Sequence, residues 1–170
     1  KILLFFGNIR DYKGLDVLLK ALEKIKDENV KLIIAGKPWK SFDKYSKLIK
    51  ELAVEKRVKL FLGYNSDDVV AEIFKIADLV VYPYKEFEAS SGAASLAVNF
   101  GKPMVVTDVG GLSELVDNEN SIAIPNNSEN LTEHILYALD NLNQLELDAH
   151  KGAKKFWWSK IADNAIVGVY

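Results

Sequence analysis

The chain has 170 residues, 49% apolar and 27% charged, with a formal net charge of −2, a balance suited to one well-filled core. Its basic residues are scattered, which excludes a nucleic-acid stripe, and no run approaches the ~20 apolar residues that span a bilayer. It holds no cysteine, so a disulfide framework, a thiol nucleophile and a thiolate zinc site are all excluded, and a cytoplasmic protein is the natural reading.

The first residues already form a strand-like run, Ile2–Phe6, with no initiator Met or leader, as expected of a segment cut from something longer. Further strand-length apolar runs stand at Lys31–Ala35, Val58–Leu62, Leu79–Tyr82, Met104–Thr107 and Ile122–Ile124. Helical spacing falls between them. Leu15, Leu18, Leu19, Leu22 and Ile25 share one face, as do Tyr45, Leu48, Ile49 and Leu52. Val70, Ile73, Phe74 and Ala77 repeat the pattern, then Ala93, Leu96, Ala97 and Phe100, and finally Leu131, Ile135, Ala138 and Leu142. From about Leu145 the chain reads as one or two closing helices. Continuous apolar strands alternating with amphipathic helices predict a single α/β domain over residues 1–170, a Rossmann-like doubly wound parallel sheet. Ligands of such sheets sit outside the carboxyl ends of the strands, so function is sought in the strand-to-helix loops.

The first loop, GNIRDYKG (Gly7–Gly14), brackets Arg10 and Lys13 with glycines just before a helix start, a ready anion site. It is neither a dinucleotide fingerprint nor a P-loop, since Gly-x-Gly-x-x-Gly and Gly-Lys-Ser/Thr are both absent from it. The second loop, AGKPW (Ala35–Trp39), and the third, LGYNSDD (Leu62–Asp68), offer backbone groups and a flat ring to a nucleobase. Trp39 and Tyr64 serve equally as loop anchors. Ser66 or Asn65 reads as a helix N-cap, a role that accounts for Asp67 and Asp68 without a metal. In the fourth loop Glu88 precedes a run of small residues, Ala89–Ser95, whose amides can approach a ligand closely. The fifth, DVGGLSEL (Asp108–Leu115), opens two glycines onto Ser113 and Glu114. His134 and His150 have no partner at metal-binding spacing and read as surface residues.

Four of these segments together resemble the C-terminal, donor-binding domain of GT-B glycosyltransferases, specifically the retaining group-1 (family-4) enzymes. GNIRDYKG is similar to the family's first glycine-rich loop. The stretch Glu88–Pro103 resembles its Glu-x7-Glu segment ending in Gly-x-Pro, here GKP at Gly101–Pro103. VTDVGGLSELV resembles the close of that motif, and KKFWWSKIADN the aromatic C-terminal helix that crosses back to the other domain. Two positions depart from the pattern. Asn8 stands where the family often carries Arg, and Leu96 stands where it carries the second Glu, the one that holds the ribose hydroxyls.

The resemblance implies transfer of a hexose-like glycosyl group, with retention, from a nucleotide-diphosphate sugar to a glycan or lipid-linked acceptor. Lys13 and Arg10 would grip the diphosphate and Glu88 would orient the sugar, these three being the catalytic candidates. Gly7, Asn8, Gly36, Lys37 and Tyr64 would complete the donor site with Ser90, Ser91, Gly92, Ala93 and the position of Leu96. It also implies no cofactor and no metal, an N-terminal acceptor domain of the same protein outside this chain, and little turnover by the segment alone. The location expected is cytoplasmic, with peripheral membrane contact left open. A nucleotide-sugar epimerase of GT-B architecture and a non-catalytic α/β binding module are the alternatives.

Overall fold

The structure, a computed structural model, describes residues 1–86, 91–115, 121–124 and 130–155. Six parallel strands, β1 (Ile2–Phe6), β2 (Lys31–Gly36), β3 (Val58–Leu62), β4 (Leu79–Tyr82), β5 (Met104–Thr107) and β6 (Ser121–Ile124), form one sheet in the order β3-β2-β1-β4-β5-β6. The chain winds outward one way from β1 to β3, then returns and winds the other way from β4 to β6. The strand order therefore reverses between β1 and β4, where a crevice opens at their carboxyl ends. The Rossmann-like sheet expected from the sequence is the one observed.

Alternation along the strands sends side chains to two separate cores. Leu3, Phe5, Leu32, Ile34, Leu79, Val81 and Val105 face one side and pack with the apolar faces of α1 (Leu15–Lys24), α2 (Asp43–Glu51), α5 (Leu131–Asp140) and α6 (Leu142–Lys155). Leu4, Ile33, Ala35, Val80, Tyr82, Met104 and Val106 face the other, under α3 (Asp67–Ile76) and α4 (Gly92–Asn99). That is why the inner strands read as unbroken apolar runs: both faces are covered, while the edge strand β3 leaves Leu60 and Leu62 exposed.

Two cations, Arg57 buried and Lys102 half-buried, close helix ends at the amino-terminal edge of the sheet. The Arg57 guanidinium donates to the carbonyls of Leu22 and Ile25 at the end of α1, at 2.9 Å each, and to Val30 at 3.0 Å. The ammonium of Lys102, from the GKP segment, donates to the Ala77 carbonyl after α3 at 2.8 Å. Both satisfy carbonyls that a helix leaves without partners.

The helical pattern from Leu131 to Leu142 is not continuous. The Asn141 side chain donates to the Tyr137 carbonyl at 2.8 Å, ending α5, and α6 begins at Leu142, a little before the closing helices expected from about Leu145. Residues 156–170, which carry most of the aromatic KKFWWSKIADN segment, lie outside the described residues.

Candidate functional site: a cleft at the strand-order reversal

The floor of the crevice is backbone. Gly7 N–H donates to the Ala35 carbonyl at 2.9 Å, Gly63 N–H to Gly36 at 3.1 Å, and Ile9 N–H to Lys37 at 2.9 Å, so the loops after β1, β2 and β3 continue the ladder past the strands. Gly36 sits at φ +142°, and a Cβ there would lie 2.0 Å from the Gly7 carbonyl oxygen. Only a glycine lets the two loops come this close.

One wall is the first loop. After Gly7 a single 3-10 turn, Asp11–Lys13, ends at Gly14 with φ 69°. A Cβ at Gly14 would stand 1.9 Å from the Pro83 carbonyl oxygen, so this glycine lets the loops from β1 and β4 touch. Lys85 N–H fastens them by donating to the Tyr12 carbonyl at 2.7 Å. The turn directs Lys13 inward. It is 7% exposed, and no carboxylate pairs with it among the described residues. Burial, and then the nearby Arg10 charge, pull its ammonium from the ordinary lysine value down to about 8. A cation held in that condition favours a ligand that supplies the missing negative charge.

The opposite wall is the start of α4. Ser91, itself buried, caps the helix by accepting the Ala94 N–H at 3.3 Å, and its hydroxyl lies 3.1 Å from that of Tyr84. Tyr82 donates its hydroxyl to the Ala93 carbonyl at 2.9 Å. The first turn of α4 carries no acidic residue, which leaves the positive end of its dipole open toward the cleft.

Between the walls lies a cleft of about 510 Å³, a volume typical of small-ligand sites. Of the residues proposed from sequence, Gly7, Asn8, Lys13, Gly36, Lys37, Tyr64, Ser91, Gly92 and Ala93 line it together. Arg10 does not. It lines a neighbouring cleft of about 330 Å³, its guanidinium 4.0 Å from the centre of the exposed Trp39 ring. That stacking holds it on the far side of the loop, and it acts on Lys13 through its charge. Leu96 packs instead against the core beneath α4, as its place on that helix's apolar stripe dictates. Glu88 and Ser90 lie outside the described residues.

Sequence reasoning passed over Phe6, Tyr12, Gly63, Asn65 and Val70, which also line the cleft. Gly63 had a signal as the glycine ending β3. Asn65 shares with Ser66 the expectation of a helix N-cap. Ser66 takes the N-cap position of α3 without a side-chain cap bond, while the Asn65 amide donates to Phe61 and Gly63 carbonyls at 3.2 and 3.4 Å. Among the described residues no group of three or more His, Asp or Glu side chains could hold a metal ion, and no helix is long and apolar enough to cross a membrane.

The family profile described as "Glycosyl transferases group 1" matches residues 1–156. An uncharacterized glycosyltransferase of Methanocaldococcus jannaschii is 32% identical over 98% of this chain and 44% of its own length. The D-inositol 3-phosphate glycosyltransferase of Corynebacterium glutamicum is 29% identical over 95% of this chain and 41% of its own. Among solved structures, Anabaena HepE in complex with UDP-glucose superposes with a TM-score of 0.78 at 22% identity, over 90% of this chain and 43% of that one. The chain thus spans less than half the length of these relatives.

Proposed function

The chain belongs to the group 1 glycosyltransferases, and from that premise we propose that it supplies the donor site for transfer of a glycosyl group from a nucleotide-diphosphate sugar to a glycan or lipid-linked acceptor, with retention. The observation that carries this reading is Lys13, a nearly buried ammonium facing the opened N-terminus of α4 across the cleft. The leaving group of the reaction is a nucleotide diphosphate, so the charge that develops is on phosphate oxygens. A cation and helix amides fixed in advance around that charge need little reorganisation as it grows. The UDP-glucose held by Anabaena HepE, a protein of the same fold, is in keeping with this class of ligand.

In this reading the diphosphate lies between Lys13 and the amides of Gly92 and Ala93. The bare floor at Gly7 and Gly36 lets it approach the backbone, and Tyr64 at the rim offers a ring to the base. Arg10 strengthens the local positive field from behind the loop. Glu88, assigned from the sequence alone, orients the sugar hydroxyls. An acceptor domain elsewhere in the protein completes the active site. Titration calorimetry of UDP and GDP, and of their glucose and mannose conjugates, tests the reading with Lys13→Ala as control. Lys13→Ala is expected to weaken nucleotide binding by about ten-fold or more. Equal affinity for the two proteins would refute the diphosphate assignment.

A further inference from the structure

Tyr84 lies fully buried just beyond the end of β4 and does not line the cleft, yet it touches both of its walls. The Lys13 ammonium stands over its ring, 5.1 Å from the centroid. Its hydroxyl is 3.1 Å from Ser91 Oγ, the atom that caps α4. The ring is packed edge-on between those of Tyr12 at 5.8 Å and Tyr82 at 5.6 Å, and Thr107 of β5 donates its hydroxyl to the Tyr84 carbonyl at 2.6 Å. One rigid side chain therefore meets the cation of the first loop with its face and the cap of α4 with its tip.

We propose that Tyr84 is a positioning residue of this cleft, its ring supporting the charged form of Lys13 and its hydroxyl fixing Ser91, so that ammonium and helix N-terminus keep the spacing a diphosphate requires. The inference rests on the reading of the cleft as a phosphate site. Two physical points support it. An aromatic face stabilises an ammonium most where water is scarce, and Lys13 is nearly buried. Burial also pushes the Tyr84 phenol up to about 12, so it keeps its proton wherever the site can work. Among the described residues the Arg10 guanidinium opposes the Lys13 charge and Lys37, also a cation, lines the same cleft, whereas the Tyr84 ring is a favourable neighbour.

The test separates ring from hydroxyl in the 170-residue chain. Inorganic pyrophosphate is titrated across a pH series by calorimetry, and the Lys13 ammonium is followed separately by NMR. Tyr84→Phe keeps the ring and removes the hydroxyl. Its pyrophosphate affinity is expected to fall about five-fold, as for loss of one buried hydrogen bond, with the Lys13 midpoint unmoved. Replacing Tyr84 by pentafluorophenylalanine keeps that shape and reverses the ring's charge distribution, so relative to Tyr84→Phe the midpoint is expected to drop by about one pH unit. A common midpoint for these two proteins overturns the ring's part. Unchanged affinity in Tyr84→Phe overturns the hydroxyl's part. Both variants preserve the volume of the core. If pyrophosphate fails to bind the parent chain, the phosphate-site reading fails with it, and the NMR midpoints still decide whether the ring supports Lys13.

Discussion

Lys13 makes the binding of a phosphate ligand depend on pH in a predictable direction. Its ammonium is held down to about 8 by burial and by the Arg10 charge, against an ordinary 10.5. The difference corresponds to about 3 kcal/mol spent keeping the charge there. A diphosphate laid against the ammonium repays that cost and returns the midpoint toward its ordinary value. Above about pH 8 the free protein is neutral at Lys13 and the complex is charged, so binding takes up a proton and weakens as pH rises. The affinity for pyrophosphate, taken relative to that of Lys13→Gln, is expected to be about ten-fold lower at about pH 9 than at about pH 7. Calorimetry in buffers of differing ionisation enthalpy checks this, because the proton taken up appears directly in the heat. Lys13→Gln provides the reference, since the ligand's own ionisations cancel in the ratio of the two proteins. Lys13→Arg, charged throughout, is expected to flatten the profile while retaining affinity. A wild-type to Lys13→Gln affinity ratio that stays constant from neutral to alkaline pH would refute the reasoning. Folding stability carries the complementary signature. The unfolded chain holds the lysine proton more tightly than the folded one, so this group's contribution to stability rises between about pH 8 and pH 10, a trend that thermal melts of wild type against Lys13→Gln would reveal.

Arg10 depresses Lys13 by its charge without lining the same cleft, so Arg10→Gln is expected to raise the Lys13 midpoint, read by NMR, and to weaken pyrophosphate less than Lys13→Gln does. Gly36→Ala would drive a methyl to 2.0 Å from the Gly7 carbonyl oxygen at a φ of +142°; a loss of about 2–4 kcal/mol in urea unfolding is expected, with the cleft floor distorted. Arg57→Met removes donors to three carbonyls around the end of α1 and is expected to cost about 2–4 kcal/mol in the same measurement. Because Arg57 sits at the opposite end of the sheet, pyrophosphate affinity of the folded Arg57→Met protein should match wild type.

Strands and helices were legible because each obeys a local rule: unbroken apolar runs where both faces are covered, and helical spacing where one face is. The loops were legible in part. Glycines at strand ends located the floor, since a positive φ or a close approach leaves no other choice of residue. Lys13 was legible as a cation just ahead of a helix start. Arg10 satisfied the same rule and went elsewhere, because an exposed Trp39 face competes for its guanidinium and nothing in the spacing of GNIRDYKG records that competitor. Tyr84 could not have been singled out. In sequence it is one more aromatic in the run LVVYPY, and its importance arises only when the loops from β1 and β4 are brought together.

That meeting of loops also bears on Leu96. In the family that this chain resembles, a second glutamate is expected there. With leucine, no carboxylate follows on the first turns of α4, and the side chain joins the core beneath the helix. A half-buried leucine suits this place on the apolar stripe, where a carboxylate would demand solvent or a partner. The first turn of α4 also carries no acidic residue, so within the helix nothing offsets the positive end of its dipole. Under the proposed donor-site reading, affinity is expected to come mainly from phosphate, with ribose hydroxyls less specified. The preference among nucleotides should then be decided at the rim, where the exposed Tyr64 ring meets the base, more than at α4.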